Sequence, residues 1–315
     1  MGNRLVMKLR VAEVRPETPD ILGVWFEHPR RPQLPAWSPG AHVDVHLPDG
    51  GVRQYSLCGD PEDRSHYRIA VKHETEGRGG SRWLHSHLEA GAELPVSAPR
   101  NHFRIDPQNG RHLLIAGGIG VTPLLTMARE LKRQGTAFMF HYCARNRLGA
   151  PLLAELEAIC GAELKTWMTG DGERLDPVSV LAAEAGAELY VCGPARLTDA
   201  VAQAALSLHW PTERYHAEHF TPLHDADFQP EAFEAVIASS GARLAVPADR
   251  SLLSVLTENG IALDSSCEIG VCGACECGYL DGDVVHRDVV LGPDRRGARL
   301  MSCVSRGQGT IVLDL

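Results

Sequence analysis

The sequence lacks several features that would each define a class of protein. It has no excess of positive charge, since 31 Lys and Arg residues face 40 Asp and Glu residues for a formal net charge of −9. Such a balance disfavours non-specific binding to nucleic acid or to an anionic membrane. No apolar run reaches the ~20 residues that a membrane span needs, and the chain contains neither an internal repeat nor a low-complexity segment. We therefore expect an acidic, soluble, globular protein with no nucleic-acid or membrane partner.

A secretory signal is also missing from the first residues. The opening stretch MGNRLVMKLRVAEVRPETPD has basic residues but no apolar segment and no small-residue cleavage site. We therefore expect a cytoplasmic protein, in which thiols stay reduced and clustered cysteines bind metal more often than they form disulfides. With 315 residues, 44% of them hydrophobic, the chain can bury cores in two or three domains.

The patterning of the chain changes twice. Short β-type runs such as LRVAEVRP, AHVDVHLP and YRIAVKHE, bounded by Pro, Gly and Asp, predict an antiparallel β-barrel in residues 1–106. Apolar strands then alternate with helical segments, which predicts βαβ units around a parallel sheet in residues 107–221. A linker is expected at 222–232. Short strands and one helix, SLLSVLTENG, predict a further domain at 233–315.

Cysteines cluster in the last of these domains, in the stretch DSSCEIGVCGACECGYL. Three follow the spacing C-x4-C-x2-C and one more lies far along the chain in RLMSCVSRG, which is the plant-type spacing for a 2Fe-2S cluster. The four positions are Cys267, Cys272, Cys275 and Cys303. Two alternatives stay open: a structural zinc site, for which only one C-x2-C pair is present, and a group of buried free thiols.

A fifth cysteine, Cys277, lies two residues beyond Cys275. If the chain after Cys275 is extended, we expect the Cys277 side chain to point to the opposite face. Cys277 is therefore not expected to be a ligand.

From Ala235 to Leu315 the sequence resembles a plant-type ferredoxin domain. The resemblance implies a β-grasp fold, and it implies that the metal ligands are Cys267, Cys272, Cys275 and Cys303. It also implies that backbone amides of the loop between the first and third of these cysteines hydrogen-bond the cluster sulfurs.

Two stretches of the first domain suggest a site for a phosphate and a ring system. The strand VRQYSLCG carries Arg53, Tyr55 and Ser56, which offer a guanidinium, an aromatic face and a hydroxyl. Alternation places Arg53 and Tyr55 on one face and Ser56 on the other. In EGRGGSRWLH, residues 79–81 open a helix, whose free amides form an anion site. Taken singly, a surface Arg with a core Tyr, and a simple helix cap, remain the alternatives.

Two further stretches are typical of a nucleotide site. LLIAGGIGVTPLL reads as a strand, a glycine turn and a helix opening, where glycines allow a pyrophosphate to approach the backbone amides; it is not the G-x-G-x-x-G pattern. LYVCGPARL ends another strand at the edge where parallel sheets bind ligands. The residues concerned are Gly117, Gly118, Gly120, Thr122, Pro123, Cys192, Gly193 and Pro194. A structural thiol is the alternative for Cys192, as for Cys143 and Cys160.

In this order the motifs resemble, along essentially the whole chain, the phthalate dioxygenase reductase and vanillate O-demethylase reductase family of the ferredoxin-NADP reductase superfamily. The resemblance implies an FMN-binding barrel, an NADH-binding domain and a 2Fe-2S domain. It implies that FMN is bound by Arg53, Tyr55, Ser56, Gly80, Ser81 and Phe220. It implies that NADH is bound by the turn 117–123 and by Cys192, Gly193 and Pro194, with Thr122 and Cys192 near the nicotinamide. Ser56 and Cys192 are the implied catalytic positions.

The choice of cofactors rests on the resemblance, because a phosphate site alone leaves FAD open. Arg145 and Arg147 could pair with the 2′-phosphate of NADPH, whereas Asp171 and Glu173 would repel it. We favour NADH on that charge argument.

The function that follows from the resemblance is electron transfer from NADH through FMN and the cluster to a terminal oxygenase component. We expect a monomeric reductase whose partner is a Rieske-type oxygenase that performs aromatic hydroxylation or O-demethylation. A haem monooxygenase as partner is the alternative within this class. A non-enzymatic electron carrier and a zinc-dependent scaffold are the alternatives outside it.

Overall fold

The structure is a computed structural model that describes residues 5–77, 79–221, 228–292 and 294–315. Its contacts divide the chain into two compact units, Met1–Glu218 and His219–Leu315. The predicted boundary at 106/107 falls in the loop that joins two sheets of the first unit and stays a prediction. Most of the predicted linker, residues 222–227, lies outside the described residues.

The first unit begins with a six-stranded antiparallel sheet. Its strands are β1 (Val6–Thr18), β2 (Ile21–Glu27), β3 (His42–His46), β4 (Val52–Ser56), β5 (Tyr67–Lys72) and β6 (Glu93–Ser97), in the order β4-β3-β6-β1-β2-β5. A bridge between Leu57 and Ile69 joins the two edges and closes the sheet into a barrel. Helix α1 (Gly80–His87) follows β5. Alternate strand residues fill the barrel, as period-two patterning requires, so the predicted barrel is confirmed.

A five-stranded parallel sheet makes up the rest of the first unit. In chain order its elements are β7 (His112–Gly117), α2 (Val121–Gln134), β8 (Phe138–Ala144), α3 (Leu153–Cys160), β9 (Leu164–Met168), α4 (Pro177–Ala183), β10 (Glu188–Cys192), α5 (Ala195–Ser207) and β11 (Tyr215–Glu218). The strand order is β11-β10-β7-β8-β9. Strands β7 and β10 are buried along their whole length, which explains their continuous apolar sequences, since helices cover both faces of such a sheet.

The second unit holds a five-stranded mixed sheet. Its elements are β12 (Phe233–Ile237), β13 (Arg243–Val246), α6 (Leu252–Glu258), β14 (Glu276–Val285), β15 (Arg299–Met301) and β16 (Arg306–Asp314), with strand order β13-β12-β16-β14-β15. The predicted cap of α6 is present, since the Ser251 hydroxyl accepts a hydrogen bond of 3.1 Å from the Ser254 N–H. The predicted multi-domain architecture is confirmed.

No helix in the described ranges is long and apolar enough to cross a bilayer.

Candidate functional site

Arg53 lies across the start of helix α1. A Cβ added to Gly80 would sit 2.3 Å from the Arg53 Nε and 2.7 Å from its Cγ, so the guanidinium packs directly on the glycine backbone. Gly79 precedes the helix with a φ of 83°, which glycine adopts without strain, and no side chain caps the first turn. Free amides and a guanidinium therefore converge at one point. This cradle fits the phosphate of a bound nucleotide.

Two predicted residues next to this cradle, Ser81 and Tyr55, have contacts within the protein. Ser81 accepts a hydrogen bond of 3.0 Å from the Glu74 N–H, which ties the helix to the preceding loop. Tyr55 is half-buried on β4, packs against the apolar interior of the barrel, and burial raises the pKa of its hydroxyl. Tyr55 is on the same strand as Arg53, and Ser81 follows Gly80 in α1. Their binding of a flavin stays a prediction.

Ser56, at the end of β4, connects the barrel to the parallel sheet. Its hydroxyl hydrogen-bonds the carboxyl group of Glu218, the last residue of β11. Glu218 is opposite Cys192, the last residue of β10, in the register of the two parallel strands. The Ser56 hydroxyl, the Glu218 carboxyl and the Cys192 thiol therefore lie together at the carboxyl edge of the sheet. Cys192 is fully buried, and burial raises the pKa of its thiol, with Glu218 adding to the effect. The structure thus brings together the two residues predicted to be catalytic and adds a carboxyl group to them.

The sequence analysis missed Glu218. Burial raises the pKa of its carboxyl to about 8, and its Oε2 has no hydrogen-bond partner among the described residues. A carboxyl group that carries its proton near neutral pH can donate a hydrogen bond to a ligand. In the sequence it is one of 40 Asp and Glu residues, and no local pattern distinguishes it.

We predict that the free energy of unfolding of the cofactor-free protein decreases as the pH rises from about 5 to about 8, because of the raised pKa of Glu218. The folded state keeps a proton that the unfolded state loses near the ordinary pKa of 4.5, so this stability is present at low pH and is lost as the pH rises through about 8. Urea denaturation at several pH values measures the slope. Glu218→Gln should remove this part of it, while the same substitution at the exposed Glu213 should not; equal slopes for the wild type and Glu218→Gln would refute the assignment.

The glycine turn after β7 packs against the turn after β10. A Cβ on Gly120 would lie 2.3 Å from the Cys192 carbonyl oxygen and 2.7 Å from the Gly193 nitrogen, so only glycine fits. Gly117 is similarly close to Pro194, whose Cδ would lie 2.8 Å from an added Cβ. The two turns form one surface at the start of α2, which has no side-chain cap. The uncapped start of a helix is where backbone amides bind anions such as a pyrophosphate.

Three other predicted residues of this turn have structural roles of their own. Thr122 is buried and its hydroxyl donates a hydrogen bond of 2.9 Å to the Ile119 carbonyl. Gly118 has a φ of 51°, and its carbonyl accepts a hydrogen bond of 3.2 Å from the Tyr142 hydroxyl. Pro123 is buried in the first turn of α2. The turn is thus held by hydrogen bonds and packing within the protein.

Two of the charged residues that bear on the choice between NADH and NADPH, Arg147 and Glu173, have side-chain partners within the protein. Arg147 forms an ion pair of 2.7 Å with Glu157, and the Glu173 carboxylate accepts a hydrogen bond of 3.1 Å from the Met168 N–H. Arg145 holds the loop after β9 through its carbonyl, which accepts from the Gly170 N–H at 2.7 Å. A 2′-phosphate would have to compete with Glu157 for Arg147, which agrees with the preference for NADH.

Phe220 belongs to the second unit and is 37% exposed. Its predicted approach to the flavin stays a prediction.

The four cysteines predicted as ligands are buried and form two pairs. The Cys267 thiol hydrogen-bonds that of Cys272, which together with the Ile269 and Val271 amides lowers the pKa of Cys267 to about 6. Cys275 likewise pairs with a thiol of the distant segment, Cys303, which lowers the Cys275 pKa. In the described part of the chain, no three His, Cys, Asp or Glu side chains are grouped closely enough to hold a single metal ion. Two thiol pairs fit a binuclear cluster with one pair for each iron.

Backbone groups hold the loop around these thiols. The Ile269 N–H lies 3.5 Å from the Cys267 sulfur, and the Gly270 N–H donates to the Cys303 sulfur. Gly270 has a φ of 77°, and a Cβ there would lie 2.8 Å from a Val304 methyl group. On the other side, Ser302 donates both its N–H (3.1 Å) and its hydroxyl (2.9 Å) to the Cys275 carbonyl. The amides therefore point at the sulfurs, as cluster loops require.

Cys277 packs in a different apolar cluster from the ligand candidates. It lies with Leu300 and Leu313 in the core of the sheet, whereas Cys275 and Cys303 lie together in a separate cluster. The premise of the sequence argument was wrong, because residues two apart in a strand share a face. Strand β14 begins only at Glu276, so the different directions arise from the bend before the strand.

The sequence analysis also missed Asp288, which supports the cysteine loop. One carboxylate oxygen of this buried side chain accepts hydrogen bonds from the Val290 (3.1 Å) and Leu291 (2.7 Å) amides. The adjoining Val289 N–H donates to the Gly270 carbonyl at 3.1 Å. The turn capped by Asp288 is thereby joined to the loop that carries three of the thiols.

Comparison with known proteins agrees with this arrangement. Residues 236–307 match the family described as the 2Fe-2S iron-sulfur cluster binding domain. Over 98% of its length the chain is 40% identical to the heme-dependent oxidative N-demethylase beta subunit of Ectopseudomonas mendocina (strain ymp), covering 99% of that protein. Over its whole length it is 39% identical to the phthalate 4,5-dioxygenase oxygenase reductase subunit of Pseudomonas putida, covering 96% of it.

Several solved structures are similar over 98% of the chain, and two of them show the range. One is phthalate dioxygenase reductase, described as a modular structure for electron transfer from pyridine nucleotides to [2Fe-2S]; it is 34% identical with a TM-score of 0.74, and 98% of it is covered. The other is an intact type IV self-sufficient cytochrome P450 monooxygenase, 40% identical with a TM-score of 0.87, of which 41% is covered.

Proposed function

Because the chain belongs to the phthalate dioxygenase reductase family, we propose that it passes electrons from NADH through FMN and a 2Fe-2S cluster to a terminal oxygenase. It is an electron-transfer oxidoreductase of the flavin and iron-sulfur type. The observation that carries the proposal is the meeting of Ser56, Glu218 and Cys192. This contact joins β4, the strand of Arg53, to the carboxyl edge of the parallel sheet. The glycine turn lies at the same edge.

A bound flavin accepts the two electrons of a hydride together and releases them singly, as a 2Fe-2S cluster requires. Arg53 and the amides at Gly80 and Ser81 hold the phosphate, and Tyr55 packs along the ring system. The Ser56 hydroxyl donates to the Glu218 carboxyl, and the protonated carboxyl would keep its own proton as a hydrogen-bond donor toward the ring. These residues bind and orient; none of them has to supply or remove a proton for hydride transfer.

The nucleotide is held by the surface of the two turns. Gly117, Gly118 and Gly120 would offer amides to the pyrophosphate of bound NADH, and the turn at residues 192–194 would contact its nicotinamide. The buried Cys192 thiol stays neutral, since burial raises its pKa, and it limits the access of water to this position. Thr122 and Pro123 fix the first turn of α2 behind the nicotinamide.

The four paired thiols, Cys267 with Cys272 and Cys275 with Cys303, hold the cluster, and Phe220 lies at the start of the segment that leads to it. The acceptor is a terminal oxygenase component with a Rieske cluster and mononuclear iron, acting on an aromatic or similar small substrate. We place the reaction in the cytoplasm and the reductase as a monomer. A haem oxygenase is the second candidate acceptor, which is supported by the haem-dependent demethylase subunit and the fused cytochrome P450 among the relatives.

The purified protein should be coloured by flavin and iron-sulfur bands and should oxidise NADH with cytochrome c as the acceptor. A colourless protein, or one without this activity, would refute the proposal. NADPH at the same concentration tests the cofactor preference, and we expect slower turnover. Addition of the oxygenase that copurifies with it, or is encoded beside it, tests the acceptor: coupled NADH consumption and product formation with a haem protein would overturn the Rieske assignment.

A further inference from the structure

Arg68 is a buried cation that joins the barrel to the parallel-sheet layer. It lies on β5 with its side chain 7% exposed. One guanidinium nitrogen is 2.8 Å from a carboxylate oxygen of Glu17 on β1, and the other is 2.5 Å from a carboxylate oxygen of Glu155 on α3. The Trp25 ring lies against the guanidinium, 4.7 Å from ring centre to Cζ. One cation is therefore shared between carboxylates of the two layers.

The network continues to the helix that begins at the glycine turn. Arg129, on α2, lies 3.4 Å from the second carboxylate oxygen of Glu155. Three residues earlier on the same helix, the Thr126 hydroxyl accepts a hydrogen bond of 3.2 Å from the N–H of Gly40 in the barrel. Helix α2 thus contacts the barrel directly at Thr126 and is linked to Arg68 of the barrel through Glu155 of α3.

At its other end the network reaches the strand with the candidate flavin residues. The Arg68 carbonyl accepts hydrogen bonds from both the Cys58 N–H (2.9 Å) and the Cys58 thiol (3.5 Å). Cys58 follows Ser56 by two residues and is fully buried. Arg68 therefore binds the parallel-sheet layer through its side chain. Through its backbone carbonyl it also holds the segment that directly follows β4.

We propose that the Arg68–Glu155 ion pair is a positioning device. It sets the distance between the glycine turn at residues 117–123 and strand β4, which carries the candidate flavin residues. The inference rests on the proposed function, because it assumes that NADH reduces a flavin bound to the barrel. Hydride transfer depends steeply on the geometry of the reacting atoms, and a misplacement of ~1 Å costs about a hundredfold in rate. Without the Glu155 carboxylate, Arg68 keeps only Glu17 of the barrel as an ionic partner, so the cation no longer ties the barrel to α3 and the two layers can shift. Arg68 and Glu155 act through position and need not touch either cofactor.

The test is Glu155→Gln, measured by rapid mixing of the oxidised holoenzyme with NADH under anaerobic conditions. The substitution keeps the size of a side chain that is 34% exposed, so the protein should fold. We expect flavin reduction at saturating NADH to slow by roughly tenfold or more. The NADH dissociation constant and the flavin content should change little, and reduction by dithionite should be unchanged.

A matched control is Glu163→Gln. Glu163 forms an exposed ion pair of 3.3 Å with Lys132 of the same helix α2, and this pair involves no barrel residue. It should leave flavin reduction at the wild-type rate. Adding Arg68→Met to Glu155→Gln should then slow the reaction little beyond the single Glu155 variant, because both substitutions break one network.

Three outcomes would overturn the inference: wild-type flavin reduction in Glu155→Gln, equal slowing in Glu163→Gln, or a loss confined to NADH affinity. Failure of the proposed function itself is separate. In that case the wild-type protein is reduced by dithionite and not by NADH, and the inference falls with it.

Discussion

Cys303→Ser is expected to abolish the 2Fe-2S cluster and cytochrome c reduction while NADH-dependent ferricyanide reduction by the flavin continues. Cys303 pairs with Cys275, and Ser302 ties its segment to the Cys275 carbonyl, so the loss of this thiol leaves one iron with a single protein ligand. The phosphate cradle, Ser56 and Glu218 lie in the other unit, where the barrel has a core of its own. Iron content, visible absorption and the two acceptor assays measure the result.

Cys277→Ser is the matched control in the same unit. Its thiol packs in the core of the sheet and not with Cys275 and Cys303. Burying a hydroxyl there should cost stability, about 1–3 kcal/mol, and leave the iron content unchanged. Iron loss in the Cys277 variant would show that the wrong four cysteines were assigned. Equal loss of both acceptor activities in Cys303→Ser would contradict the order of electron transfer from flavin to cluster.

Gly120→Ala is expected to suppress NADH-dependent flavin reduction by roughly a hundredfold or more. The new methyl group would lie 2.3 Å from the Cys192 carbonyl oxygen and 2.7 Å from the Gly193 nitrogen, and both contacts are with backbone that cannot rotate away. The turns after β7 and β10 must therefore separate, which displaces the amides proposed to bind the pyrophosphate. Anaerobic rapid mixing with NADH measures the rate, and the flavin content should be retained.

Gly135→Ala provides the comparison at the other end of α2. Gly135 has a φ of 69°, and an added Cβ meets nothing within 4 Å. Alanine in this conformation costs about 1–2 kcal/mol of stability without touching the nucleotide turn. If this variant lost NADH-dependent reduction as Gly120→Ala is expected to, general destabilisation and not the contact with Cys192 would explain both.

Local patterns predicted most of the elements and most of the candidate site. The alternation in the first hundred residues predicted the antiparallel barrel, and the glycine turn after LLIA predicted the strand and helix around Gly118. In each case the signal lies within about ten consecutive residues, where backbone preference and burial period agree. The direction of Cys277 was derived from a wrong premise, because residues two apart in a strand share a face; the two thiols differ in direction because the strand begins only after Cys275.

The residues that pattern reasoning missed share one property: their partners are distant in sequence. Glu218 is informative only because β11 pairs with β10 and its carboxyl meets Ser56, which is far earlier in the chain. Arg68 reads as an ordinary strand residue until the fold places Glu155 beside it. No local signal could identify either, because their chemistry arises from burial and from a charge supplied by another element.

The sequence by itself determined the order of the antiparallel barrel, the parallel sheet and the ferredoxin-type domain, and it predicted residues for a phosphate, a nucleotide and an iron-sulfur cluster, since those motifs depend on local spacing. Only the tertiary structure decided which of them meet. It joined Ser56 to Glu218, paired Cys275 with Cys303, and connected Arg68 to Glu155. Each of these contacts forms between segments that the chain brings together only when its hydrophobic cores close, and each changes the charge or the proton affinity of the groups involved.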